Sequence, residues 1–259
     1  MIREESGPYA GVAAGLAATP FASIAYVAET GSTNADAAAL LGDVRFAGRT
    51  IVAEYQSQGA GRKGRTWHAA PGTALLFTTI LPSDIATESL WRVPFWVALA
   101  VRAALQDCGV STTLQWPNDL LLLERKVAGV LCQSRVTGPM ARVACGVGIN
   151  VHRTPGAARI DPAPAFCDDI ARFDRALLLR AVLTHYHRSL FLLDEAEGVI
   201  ERWDVAARMP GRRYRLQLDN SPDVFEATAQ GLAEGGGLRI VRDDGGMATV
   251  SLADARALR

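Results

Sequence analysis

Gln115-Trp116-Pro117-Asn118-Asp119, then Leu120 to Leu123, Glu124-Arg125 and Lys126-Val127-Ala128-Gly129-Val130-Leu131, is the stretch that decides how this chain folds. It sets a carboxamide, a carboxylate and an ammonium at the edges of apolar runs, where burial without a partner is costly. Pro117 biases Trp116 toward extended backbone, and the leucine run has the length of a buried strand. The Glu124-Arg125 step is then the bend, and Lys126 opens the return strand. Neither bend residue favours a tight two-residue turn, which predicts a loop that borrows residues from both strands. Strict alternation sets Lys126, Ala128 and Val130 on one face, with Val127, Gly129 and Leu131 on the other. Gly129 permits close approach of a ligand or a second backbone. A lone lysine at a strand start is more often solvated than functional.

A second constellation changes that balance. Gly59-Ala60-Gly61-Arg62-Lys63-Gly64-Arg65-Thr66-Trp67 packs three glycines, three cations and an indole together, directly after the strand-like Ile51 to Tyr55. Glycines allow close backbone approach, and arginines supply forked donors matched to phosphate or carboxylate. No Gly-Lys-Ser/Thr ending follows, so this is not the common nucleotide loop. A Pro71-Gly72 turn and a strand over Leu75 to Leu81 come next, so the loop does not open a helix. Taken alone it reads as a basic surface loop or, less readily, a nucleic-acid patch beside Trp67. With little of its own to bury, it is expected to be mobile until a ligand orders it.

The chain of 259 residues is long enough for one large domain and a small one. Its 27 basic and 27 acidic residues cancel, leaving no global field to attract nucleic acid or an anionic membrane. Cys108, Cys132, Cys145 and Cys167 show neither close pairing nor metal-ligand spacing, which suits a reducing, cytoplasmic setting. Gly7 to Ala28 is uncharged, yet it is mostly alanine and glycine, is interrupted by Pro20 and lacks a positive leader. It is therefore read as neither an export signal nor a membrane span. His185 and His187 point to different faces of one helix and suit structural roles.

The remaining elements follow from periodicity and punctuation. Phe21 to Val27 reads as the first strand, with a loosely specified extension over residues 1–20 before it. Ser32 or Thr33 suits an N-cap ahead of a helix over Ala35 to Leu41. Glu88 to Cys108 reads as a helix closed by Gly109, with Pro94 restricting its start to about Val93. Asp174 suits the cap of a helix running through Leu190. From about residue 205 short strands take over, at 213–218, 224–229, 238–241 and 248–252, separated by Asp219 to Pro222, Gly235 to Gly237 and Asp243 to Gly246.

Five motifs in order resemble the biotin protein ligases across roughly residues 22 to 152. They are Glu29-Thr30-Gly31-Ser32-Thr33-Asn34; Glu54-Tyr55-Gln56 leading into the basic loop and Trp67; Trp116-Pro117-Asn118-Asp119; Lys126-Val127-Ala128-Gly129; and Gly146-Val147-Gly148-Ile149-Asn150. The chain departs from the pattern at Ala60, where the family often has arginine. The resemblance implies an α+β fold: a mixed β-sheet catalytic domain packed with helices, of the class II synthetase-like type, over residues 21–204. A small C-terminal SH3-like β-barrel over 205–259 would follow. It implies the form without an N-terminal helix-turn-helix, for which twenty residues are too few.

It also implies a two-step reaction. Biotin and ATP give biotinyl-adenylate and pyrophosphate, and the biotinyl group passes to a lysine of a biotin carboxyl carrier domain, with no nucleic acid or membrane as partner. By resemblance Lys126 bridges the biotin carboxylate and the phosphate, while Arg62 and Arg65 clamp phosphate. Ser32, Thr33, Asn34 and Gln56 would read the biotin ring, with Ala60, Gly61 and Arg62 closing over it and Gly129 leaving room. Trp67, Asn118, Asp119 and Asn150 would serve ATP, Asp119 being the candidate Mg2+ ligand. Trp67 and Trp116 suit either stacking on ligands or packing in the core. A lipoate or octanoate ligase of the same fold is the nearest rival activity. Its arginine pair and triple glycine have no counterpart here, because Gly235 to Gly237 lies among the C-terminal strands. More distant readings are a non-catalytic nucleic-acid-binding protein and a family member that binds biotin without ligating it.

Overall fold

The computed structural model describes residues 3–4, 7–154, 156, 160–219, 222–252 and 255–258. In the first part of the chain, strands β1 (Arg3–Glu4) and β2 (Ile24–Thr30) precede helix α1 (Thr33–Leu40), β3 (Thr50–Gln56), β4 (Ala74–Ile80) and β5 (Ile85–Ala86). Helix α2 (Arg92–Asp107), β6 (Thr113–Gln115), β7 (Asp119–Leu122), β8 (Arg125–Thr137), β9 (Met140–Asn150), α3 (Arg175–Ser189) and α4 (Ala196–Ala207) follow. The chain ends in β10 (Arg213–Leu218), β11 (Val224–Leu232), β12 (Leu238–Arg242), β13 (Met247–Val250) and β14 (Ala255–Leu258).

The larger sheet runs β1-β2-β3-β4-β9-β8-β7-β6, with β5 added beside β9. It is mixed: β2 and β3 are parallel, while β3 with β4, β4 with β9, and β9 with β8 are antiparallel. Alternation along β3 explains its two-sided packing. Val52 joins the large core beneath α2 and α3, whereas Ile51 and Ala53 join the smaller cluster that holds Ala37 of α1. Trp96 of α2 stacks against Tyr186 of α3 at 4.7 Å, and Phe95 meets Trp203 of α4 edge-on at 4.6 Å. Each such buried side chain contributes about 1.5–3 kcal/mol.

Local rules account for the helix ends. Pro94 sits in the first turn of α2, where a missing N–H costs no helical bond. Gly109, at φ 82°, takes the chain out of the helix. Asp174 caps α3 by accepting from the Ala176 and Leu177 amides at 2.7 and 3.3 Å.

The structure departs from the sequence reading in several places. Residues 7–20 form turns whose Tyr9, Val12 and Leu16 are buried in the main core, so this stretch packs instead of trailing. The change of texture read at residue 205 falls in the last turn of α4, and the second sheet begins at Arg213. That sheet has five antiparallel strands in the order β13-β12-β11-β10-β14, with β13 and β14 at its edges, and the pairing among the described residues records no closure into a barrel. Strand β14 was missed because Ala-Arg-Ala-Leu is too short, and too poor in β-branched and aromatic residues, to give a strand signal. Residues 220 and 221 of the turn read at 219–222 lie outside the described residues. Cys132 and Cys145, distant in sequence, are cross-strand partners as free thiols. No helix among the described residues is long and apolar enough to cross a membrane.

The central hairpin is tighter than its sequence advertises. Leu122 pairs with Arg125, so the turn is Leu123-Glu124, and both residues hold left-handed backbone, at φ 49° and 58°. That is the geometry asparagine and glycine favour; neither native residue does. Leu123→Asn combined with Glu124→Gly is expected to raise unfolding stability by about 1–2 kcal/mol. Urea denaturation measures it, and an unchanged midpoint at constant slope would contradict the strain.

Candidate active site

Of the residues singled out from the sequence for binding or catalysis, all but Trp116 line one cavity of about 250 Å³: Ser32, Thr33, Asn34, Gln56, Ala60, Gly61, Arg62, Arg65, Trp67, Asn118, Asp119, Lys126, Gly129 and Asn150. Trp116 lies elsewhere. It is buried, donating its indole N–H to the Gly236 carbonyl at 3.0 Å and its amide to the Tyr214 hydroxyl at 3.2 Å. It packs β6 against the C-terminal sheet.

A bulge sets the face of Lys126. Leu120 pairs with Ala128 and Leu121 with Lys126, which leaves Val127 as an extra residue in β8. Val127 and Ala128 both enter the core beneath the helices. Lys126 and Gly129 consequently share the cavity face, which strict alternation had forbidden. Asp119 pairs across the ladder with Gly129, and its Oδ1 meets Lys126 Nζ at 2.6 Å. The Lys126 ammonium also lies 5.3 Å from the Trp67 ring centroid.

Glycines make the room that these side chains occupy. A Cβ on Gly146 would fall 1.9 Å from Asn34 Oδ1, one on Gly148 2.7 Å from the Trp67 ring, and one on Gly129 2.9 Å from Lys126 Nζ. Asn34 is thereby locked: its Nδ2 donates to the Leu131 carbonyl at 3.0 Å, and its Oδ1 accepts from Thr78 at 2.7 Å. It shapes the wall, with both ends of its amide spent on protein.

The start of α1 is held from across the sheet. Ser32 occupies the cap position, yet its side chain makes no capping bond. Gln56 Oε1 takes over, accepting from the Thr33 amide at 2.7 Å and the Thr33 hydroxyl at 3.0 Å. With Oε1 committed, the Gln56 amide nitrogen lies over Gly59 as a donor.

The basic loop is a small closed turn. The Gly61 amide donates to Arg65 O at 2.6 Å and the Trp67 amide to Gly59 O at 2.8 Å. Burial, and after it the charge of Arg65, pulls the Arg62 guanidinium below its ordinary pKa, though not out of its charged form. Arg62 and Lys63 both reach the connections of the C-terminal sheet.

Asn118 and Asn150 brace the site. Asn118 Nδ2 donates to Val130 O at 2.6 Å, and Asn150 Nδ2 donates to Ala165 O at 3.2 Å. Sequence reasoning passed over the segment that Asn150 holds, from which Thr154, Ile160, Asp161, Pro162, Pro164 and Phe166 also line the cavity. Its prolines and irregular pattern give no periodic signal. His68 and Leu76 were passed over as well, and Leu131, Gly146 and Gly148, though they stand in the quoted motifs, were given no part in the site. Among the described residues no group of three or more His, Cys, Asp or Glu side chains is arranged to hold a metal ion. Asp119, Asp161 and Asn118 offer a sparse oxygen set, which fits an ion carried mainly by phosphates and water.

Residues 30–150 match the profile of the biotin/lipoate A/B protein ligase family. The biotin--[acetyl-CoA-carboxylase] ligase of Mycobacterium tuberculosis is 31% identical over 210 residues, covering 76% of each chain. The bifunctional ligase/repressor BirA of Bacillus subtilis is 26% identical over 211 residues, and the match spans 76% of this chain and 63% of that protein's length. The biotin protein ligase from Aquifex aeolicus, solved in complex with biotin and ATP, shares the fold with a TM-score of 0.74 at 23% identity, covering 91% of this chain and 98% of that one.

Gly146→Ala drives a methyl into Asn34. It is expected to cost about 1–3 kcal/mol of stability and to weaken ligand binding in parallel. Urea unfolding and calorimetric titration read the two effects, and a fully stable, normally binding variant would show that Asn34 can move aside.

Proposed function

The chain belongs to the biotin/lipoate A/B protein ligase family, among the biotin protein ligases, and on that premise we propose that it biotinylates a carrier protein at the expense of ATP. In the first step a biotin carboxylate oxygen attacks the α-phosphorus of ATP, and pyrophosphate leaves. In the second a carrier lysine amine attacks the acyl carbon of the mixed anhydride, and AMP leaves as the amide forms. The carrier is a biotin carboxyl carrier domain.

Two anions have to approach in the first step, and the observation that carries the reading is the gathering of Lys126, Arg62 and Arg65 in one cavity. Preorganised charge of this kind contributes on the order of 10²–10³ in rate per group. Lys126 spans the carboxylate and the α-phosphate, with Asp119 fixing its ammonium. Arg62 and Arg65 hold phosphate oxygens. Ser32 and the Gln56 amide meet the polar ring at the glycine-walled end, while Asn34 and Thr33 keep that wall in place. Trp67, Asn118 and Asn150 border the nucleotide. Mg2+ arriving with ATP would neutralise phosphate charge, with Asp119 the candidate protein oxygen to share it. The catalytic unit of this reading, expected from the sequence over residues 21–204, takes in the packed stretch 7–20 and the end of α4 at Ala207 as well.

Incubation with ATP, Mg2+, a carrier domain and either biotin or lipoate, followed by weighing the carrier, tests the proposal. One biotinyl addition is expected; no addition, or addition from lipoate alone, overturns it. Lys126→Ala should cut biotin-dependent pyrophosphate exchange by at least about a hundredfold with the fold intact by circular dichroism. Arg62→Gly removes charge-assisted hydrogen bonds and should raise the adenylate off-rate by about tenfold or more. An unchanged off-rate would remove Arg62 from phosphate contact.

A further inference from the structure

The basic loop is fastened at its outer side. Arg62 Nη2 donates to the Leu252 carbonyl at 2.6 Å, and the Lys63 ammonium is ion-paired with Asp219. Asp219 directly follows β10 and Leu252 lies between β13 and β14, so both partners sit in connections of the C-terminal sheet. The crevice beside the loop, bordered by Arg62, Lys63 and Arg65, by the segment from Gln115 to Asp119 and by Ala257 of β14, measures about 10 Å³. That is room for roughly one water. The inner side of the same loop lines the cavity through Ala60, Gly61, Arg62 and Arg65.

Resting on the adenylate reading of the cavity, we infer that the C-terminal sheet is a clasp holding the basic loop closed over the nucleotide, with Asp219 its positioning residue. Asp219 acts through Lys63 and never touches the ligand. Lys63 is only partly exposed and its partner somewhat more so, at 24% and 37% of the side chains, so the pair keeps part of its strength in solvent. Nucleotide retention is then set partly by a group outside the cavity. A looser clasp raises the adenylate off-rate and the apparent KM for ATP, and it leaves the chemistry at saturation alone.

Hydrogen–deuterium exchange of the loop amides 59–67 in the full chain, without ligands, reads the clasp directly. Asp219→Asn and Lys63→Gln are each expected to speed loop exchange by about two- to fivefold, the size of a partly exposed ion pair. The double variant should add little. The swap Lys63→Asp with Asp219→Lys should recover most of the protection. In turnover the single variants should raise KM for ATP by the same factor, with kcat unchanged. Loop exchange that is unaltered in both single variants overturns the clasp, as does failure of the swap to recover. A loop that loosens in the variants while the wild type makes no adenylate upholds the clasp and overturns the reading of the cavity instead.

Discussion

Asn34 reaches Leu131 and Thr78 because position 146 presents nothing but backbone, and Trp67 can lie over β9 because position 148 does the same. Lys126 is seated above Gly129 in the same manner. Missing Cβ atoms on two adjacent strands are therefore the constraint on which the cavity depends. A sheet packed edge to edge with Val and Ile would be more stable locally and would have no floor on which polar groups could converge. The loss is recovered on the opposite face, where Trp96, Tyr186 and Phe95 are wholly buried.

Charge placement follows from that floor. Lys126 would be an expensive group in a cavity of this depth without Asp119 at 2.6 Å. The pair is held by ladder geometry, because Asp119 faces Gly129 across β7 and β8. The ammonium is thus oriented before any substrate arrives, and little reorganisation remains for the reacting state.

Much of this was legible beforehand. Helix α2, the cap at Asp174, the hairpin and the cavity residues contributed by the ordered motifs followed from apolar period, capping chemistry and the motifs themselves. What escaped has physical causes. The bulge at Val127 breaks alternation, and no residue type marks it. The Leu123-Glu124 turn runs against residue preference and is imposed by its flanking strands. The burial of Tyr9, Val12 and Leu16 is invisible in an alanine-rich segment, because it depends on the surface offered by α3 and β2. The wall from Thr154 to Phe166 has no period, and it is pinned by backbone bonds such as Ala165 N to Lys126 O at 2.8 Å.

The indole of Trp116 carries a further meaning. Two residues before Asn118, it gives its N–H to Gly236, while its own amide rests on Tyr214, so the strand that leads into the site is moored to a sheet built from the last fifty residues. A truncated chain stopping after Ala207 would leave that indole without its acceptor and wet the base of the hairpin. The small sheet is in this sense masonry of the cavity, and a shortened protein would inherit the motifs without the architecture that gives them direction.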